Sequence, residues 1–287
     1  WHSSGISVGS AKATIIRDNL VHDVPYVGIA VHGGPRHTVF RGWPRRVPEL
    51  EELWRRHSEG EPTIDGAKRF IPGHNLVEAN TVHHVMQVLD DGAAIYCHAG
   101  HHSTVRGNTV YAVQSPMGMG LYFDDEEMDS TMEGNLVYRC PEDESLEVHS
   151  AVVHLHHNGR HRLERNILVG GKQVLSVPNG YGGHHIERNI FVFAAEPNWD
   201  RADPTPVSGP GDGRRQAGWD AGPSVVRHNL WWSPRGAAFA ESLFAKWRSR
   251  GYGQDSFIAD PRFVAPESGD YRLTGDSPAA ALGFEIT

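Results

Sequence analysis

Apolar and polar residues alternate along much of this chain, and the same sentence of alternation returns several times. "GAAIYCHAGHHSTVRGNTV" (92–110), "GLYFDDEEMDSTMEGNLV" (120–137) and "VVHLHHNGRHRLERNILV" (152–169) each run an alternating stretch into a polar corner, then Asn and an aliphatic pair. Aligned on that Asn, the series is Asn19, Asn80, Asn108, Asn135, Asn166, Asn189 and Asn229, at intervals of 61, 28, 27, 31, 23 and 40 residues. A short β-rich unit at such a period predicts a solenoid. Two helices per unit, or a leucine lattice, would mark other repeat families, and neither is present. The fold class predicted is all-β: a right-handed parallel β-helix whose strands stack ~4.8 Å apart from coil to coil.

Asn suits a corner because it tolerates left-handed backbone and can hydrogen-bond its equivalent one coil away. The pairs Leu20–Val21, Thr109–Val110, Leu136–Val137 and Ile167–Leu168 then supply core strands. Two interruptions read as insertions. Residues 41–72 carry Val47, Leu50, Leu53 and Trp54 at helical spacing, and residues 195–224 form a Pro/Gly-rich loop. "GAAFAESLFAKWRSRG" predicts a second helix near the end, stopped by Gly251. The chain is read as one β-helix domain over 1–287. It opens in repeat phase at "GISVGSAKATIIRDNLV" with no amphipathic cap, so it is expected to be the C-terminal part of a longer protein.

Strand alternation sorts the faces. Ile29, Ile95, Leu121, Val153 and Val174 form one inward row; Val31, Cys97, Phe123, Leu155 and Ser176 form the next. Between them lie two outward rows. One holds Ala30, Tyr96, Tyr122, His154 and Leu175; the other holds His32, His98, Asp124, His156 and Val177. A merely wet sheet face would favour Thr, Lys, Ser and Glu, so a column of His and Asp beside two tyrosines marks the candidate site.

A net charge of −8 argues against a nucleic-acid partner, which calls for a clustered basic face. No apolar run is long enough for a membrane span. Cys97 and Cys140 are expected as buried free thiols rather than a disulfide. Nineteen histidines favour proton-transfer or metal chemistry at the column. No cofactor is expected. A divalent metal held by His98, Asp124 and His156 is disfavoured, because three coils span roughly 9–10 Å.

Three chemistries remain. A glycosidase needs two carboxyl groups, ~5–5.5 Å apart for retention and ~6.5–9.5 Å for inversion. Asp124 supplies one. Asp125 follows at the strand end; Asp91 sits seven positions before His98, ~23 Å away if extended and near only if Gly92 turns tightly. A uronate lyase or epimerase needs a base and a charge neutraliser, and the outward columns hold no Lys or Arg. The third reading is a non-catalytic carbohydrate-binding β-helix.

"DDGAAIY", "GLYFDDEEMDSTMEGNLVYR", "VVHLHHNGRHRLERNILV" and the closing "SFIADPRFVAPESGDYRLTGDSPAAALGF" resemble bacterial parallel β-helix carbohydrate-active enzymes, nearest to glycoside hydrolase family 141 and its relatives. The resemblance covers most of residues 75–287. It implies glycoside cleavage of a plant or bacterial polysaccharide, in a secreted or periplasmic protein whose signal segment is absent from this chain. It also implies that the closing segment closes the helix. The family's patterns fall on Asp91, Tyr96, Tyr122, Asp124, Asp125 and His156; Cys97 and His98 depart from them. Asp124, Asp125 and Asp91 are therefore the candidate carboxylates, with His98 and His156 as positioning or pKa-tuning groups. Tyr96 and Tyr122 are the candidate sugar platform, and His32, His154 and Glu126 complete the candidate substrate-binding set.

Overall fold

The computed structural model describes residues 3–10, 12–33, 72–140, 151–156, 158–170, 174–177, 182–193, 224–249 and 251–286, with positions 48, 49, 52, 55, 56 and 66. Three parallel sheets of six, seven and eight strands wrap one core, each coil giving a strand to each sheet in turn. The architecture is a right-handed parallel β-helix. The six-stranded sheet, called the first sheet below, runs in space through Ile6–Gly9, Ile29–His32, Gly92–His98, Gly118–Phe123, Val153–Leu155 and Leu175–Ser176.

Strand alternation explains the interior. The central residues of the second sheet's strands (Ile16, Val77, Val105, Met132, Leu163, Ile186 and Val226) are all buried in one apolar column. On the third sheet it is the second residue of each aliphatic pair that enters the core. Val21 is buried, whereas Leu20 beside it is 63% exposed.

In the first sheet, Ile95 pairs with Ile29 and Leu121, Tyr96 with Ala30 and Tyr122, and His32 with His98, as the alternation predicts. Past the strand ends the register continues. Asp124 N–H donates to the Cys97 carbonyl and His156 N–H to that of Phe123, so His98, Asp124 and His156 do share a column. The fifth coil departs by one residue. Val153 pairs with Leu175 and His154 with Ser176, which places Leu175 in the inward row instead of Val174. Val174, Leu175, Ser176 and Val177 are all buried, so this uniformly buried stretch carried no in-and-out alternation from which to fix its register.

The Asn column forms a continuous ladder. Each Asn Oδ1 accepts from the backbone N–H and the side-chain Nδ2 of the Asn one coil earlier, at 2.8–3.1 Å from Asn19 through Asn229. Its last rung is Asn229 N–H on Ser256 Oγ, 2.9 Å. The left-handed residue is not the Asn but the one before it: Asp18, Ala79, Gly107, Gly134, Arg165, Arg188 and His228 have φ between 52° and 62°. The Asn is conserved along the chain by its double hydrogen bonding, and its neighbour absorbs the turn.

A second corner does the same with different residues. Thr14 N–H donates to Asn75 Oδ1, Ser103 N–H to Ser130 Oγ, Ser130 N–H to His161 Nδ1, His161 N–H to His184 Nδ1, and His184 N–H to Ser224 Oγ, over 2.9–3.3 Å. Burial drives both histidines toward the neutral form, His161 well below its ordinary value and His184 to about 3. Cys97 and Cys140 are buried free thiols.

Helix α1 (Ala237–Ser249) closes the C-terminal end of the core. Ala240, Leu243, Phe244 and Trp247 pack onto it, with Trp231 of the last coil 5.1 Å from Trp247 by ring centroids. Gly251, at φ 85°, ends the helix as predicted. The closing segment has another task than the one its resemblance implied. Its antiparallel pair (Phe263–Ala265 with Asp270–Leu273), together with Ala279 and Leu282, covers Ile190, Val192 and Leu230 on the flank of the third sheet. Of the insertion over 41–72, positions 48, 49, 52, 55 and 56 are helical and the remainder below 72, apart from helical 66, lies outside the described residues, as does the loop over 195–223. No helix among the described residues is long and apolar enough to cross a membrane.

Candidate functional site

Asp124 ends the strand Gly118–Phe123 at the point where the chain leaves the first sheet, and three side chains converge on it. Tyr96, one coil earlier, donates its hydroxyl to Asp124 Oδ2 at 2.5 Å. Tyr122, two residues back on the same face, donates to Oδ1 at 2.8 Å. His156, one coil later, brings Nδ1 to 3.1 Å from the same Oδ1 and to 3.2 Å from Asp125 Oδ1. Coil stacking and strand alternation therefore build the cage: i−2 on one strand, and the aligned rows on either side.

Electrostatics follow from those bonds. Burial pushes the Asp124 carboxyl up, but hydrogen bonds from His156, Tyr96 and the Asp125 backbone outweigh it and hold the group at about 2. Burial disfavours the His156 imidazolium, yet bonds to Asp124 and Asp125 outweigh it and raise the ring to about 9. At neutral pH the site thus holds an ionised carboxylate against a protonated imidazole. Burial, with the Asp124 charge second, pushes both phenols up, so Tyr96 and Tyr122 are proton donors to the carboxylate and not bases.

Sequence alternation sent these residues outward, and they do point away from the core, but they are not wet. Asp124 is 6% exposed, His98 5%, Tyr122 4% and His154 1%. The His154 ring packs edge-on against Tyr122 at 4.8 Å and lies 5.7 Å from His156. Tyr122 and His154 therefore stand behind the site and offer no open platform. Tyr96 is the ring that reaches open space, and the two-tyrosine platform reduces to it. His98 packs flat against Tyr96 at 6.0 Å, an orienting contact.

Tyr96 also lines a cleft of about 500 Å³ with Ser4, Tyr26, Ala30, His32 and Asp91. Asp91 reaches this cleft because the backbone turns at it: φ is 58°, and its carbonyl accepts the Tyr26 hydroxyl at 2.7 Å. The tight turn is thus centred on Asp91 itself. Gly92 follows in a space where a Cβ would strike Tyr26 and Val27 at 2.9 Å. Asp90, also on the cleft, accepts a hydrogen bond from Ser115. Tyr26 was not among the residues singled out from sequence; it lies outside any strand, between Pro25 and Val27, where no periodicity points to it.

The acidic turn after Asp124 divides by direction. Glu126 is half-buried at φ 65°, while Glu127 turns fully inside. Burial lifts Glu127 to about 7 against hydrogen bonds from Ser130, Ser103 and the Gly100 backbone. Carboxylate oxygens of Asp124 and Asp125 and a ring nitrogen of His156 all lie within 4.8 Å of one another. That set, and not one including His98, offers the donors for a divalent cation; to serve, His156 would have to surrender its proton.

No family model matches the chain, and no curated protein matches it. Among solved structures, the complex of XylC with xylose matches at 12% identity and a TM-score of 0.45, covering 88% of this chain. The chain spans 39% of the length of that protein. The xylose is XylC's ligand.

Proposed function

We propose that this chain is a carbohydrate-active β-helix enzyme that hydrolyses a glycosidic bond between neutral sugars. The observation that carries the reading is the pair of carboxylates, Asp124 and Asp125, with oxygens within 4.8 Å and His156 between them, beside a tyrosine-walled cleft. Two carboxyl groups that close lie nearer the ~5–5.5 Å of retaining glycosidases than the ~6.5–9.5 Å of inverting ones. Asp124, fixed as an anion, takes the role of nucleophile or stabiliser of the positive charge that develops on the sugar ring. The proton for the leaving oxygen comes from the His156–Asp125 pair, since the His156 imidazolium is a far stronger acid than the two phenols, which burial holds protonated. Tyr96 spans both regions, its ring on the cleft and its hydroxyl on Asp124. Among the described residues, the aromatic and acidic cleft lining contains no Lys or Arg, which supports a neutral sugar over a uronate and ranks a lyase or epimerase lower.

The test is turnover of aryl glycosides and polysaccharides by the parent, Asp124→Asn and Asp125→Asn. Each variant is expected to lose on the order of 1000-fold or more in kcat with its circular dichroism unchanged. Full activity in both variants of an active parent would overturn the assignment. A parent that gives unsaturated, ultraviolet-absorbing products from uronate polymers would establish the lyase instead. Glycan retention on an affinity gel with no turnover would establish a binding module.

A further inference from the structure

We propose a second site, unrelated to the Tyr96–Asp124 cage: a zinc-class divalent metal held by His74, His101 and His102. The backbone builds it. At the corner between the first and second sheets, Gly73 pairs with His101 and His101 with Met128, one coil to the next. The following residue of each coil takes left-handed backbone, His74 at φ 60°, His102 at 54°, Asp129 at 53° and Arg160 at 61°, so these side chains form one column on the outside of the corner. Asp129 and Arg160 fill their part of it with an ion pair, at 2.8 Å. The two positions before them are both histidine, and His101 at the bridge adds a third imidazole.

The three rings are already gathered. His101 Nδ1 lies 2.8 Å from His102 Nδ1, His74 stacks on His102 at 5.0 Å, and its ring meets that of His101 edge-on at 5.1 Å. One ring nitrogen from each falls within 4.8 Å of the other two. Tetrahedral zinc with bonds of ~2.0–2.1 Å sets its nitrogen ligands ~3.4 Å apart. The close pair must open by about half an ångström and His74 must swing in by at most about 1.4 Å, which the exposed His74 and His102 side chains can do while buried His101 stays fixed. An all-imidazole set selects zinc, copper or nickel over magnesium or calcium, which take oxygen ligands. Three protein ligands leave a fourth position for water. Because His74 belongs to the coil before that of His101 and His102, the ion would tie two successive coils together.

The experiment uses the tag-free, chelator-dialysed chain titrated with Zn²⁺ by calorimetry, with Co²⁺ as an optical stand-in for tetrahedral nitrogen coordination. The parent is expected to bind one ion at this site, with a cobalt spectrum in the visible. His74→Gln and His102→Gln should each weaken binding by on the order of 100-fold, because loss of a direct ligand costs at least as much as loss of an outer partner. Asp125→Asn, which alters the other cluster of metal-capable donors, should leave binding unchanged. A parent that binds no zinc, or parental affinity in both histidine variants, overturns the site. So does loss of binding in Asp125→Asn alone, which would place the ion beside Asp124.

Discussion

The two internal corners solve one problem in two vocabularies. At both, a backbone N–H is turned inward and must find an acceptor on the next coil. The Asn corner answers with asparagine six times before closing on Ser256; the other uses Asn75, Ser130, His161, His184 and Ser224. The difference lies in how many bonds each side chain must make. Asn135 Oδ1 accepts twice from Asn108, and its Nδ2 donates to the Val105 carbonyl and to Asn166 Oδ1. Only a side chain with adjacent acceptor and donor does both. The second corner asks for one acceptor, so hydroxyl, imidazole or amide will serve, and that corner is free to admit titrating groups such as Glu127, bonded to Ser130 at 2.6 Å.

The sharpest way to break this comparison is Asn135→Ala. It strands several buried backbone and side-chain groups at once, and at ~1–3 kcal/mol for each unsatisfied group the loss should reach about 4 kcal/mol in urea unfolding. A loss near 1 kcal/mol would mean that the Asn corner is no more demanding than the other.

Next comes pH. Glu127 has a folded pKa of about 7, above its ordinary 4.5. Below pH 4.5 both states are protonated and the native state bears no penalty; between 4.5 and 7 the unfolded chain releases its proton first, so stability falls as pH rises. The span is worth at most ~3 kcal/mol. Glu127→Gln should therefore gain on its parent between pH 5 and pH 8, read as the difference in unfolding midpoints. A difference that stays constant with pH would remove Glu127 as the source. Asn135→Asp, placed at the opposite corner, should destabilise at both pH values, because it deletes a donor.

The smallest effect is Ser130→Ala, which orphans the Ser103 amide and one bond to Glu127. About 1–2 kcal/mol is expected, well short of Asn135→Ala. Equal costs for the two would erase the distinction between the corners.

Legibility in the sequence followed the same rule. The Asn column was visible because no other residue substitutes for it, and it fixed the coil count and the facing of Tyr96, Asp124 and His156. The mixed corner was invisible, since Asn, Ser and His share no letter pattern even though they share an acceptor. Alternation told which way Tyr122, His98 and His154 point but not that they are buried, because the large outward rings of neighbouring coils pack on one another. It failed at Val174–Val177, where every position is buried. In "DDEE" nothing distinguished Glu126, which stays at the surface, from Glu127, which turns inside. Histidines 74, 101 and 102 were read only as part of an abundance, since His74 meets the adjacent His101 and His102 through coil stacking alone.

The Asn-to-Asn bonds have a direction: each rung gives its backbone N–H and one Nδ2 proton to the next Asn toward the C-terminus, and returns the other Nδ2 proton to a backbone carbonyl of the coil before it. Any internal coil therefore presents the same two faces to its neighbours, whatever its outer residues are. Remove one whole turn, or copy one, and the rungs above and below meet again without a mismatched donor. The solenoid is thus built from interchangeable units, so the length of its outer surface and the chemistry written on one turn can change separately.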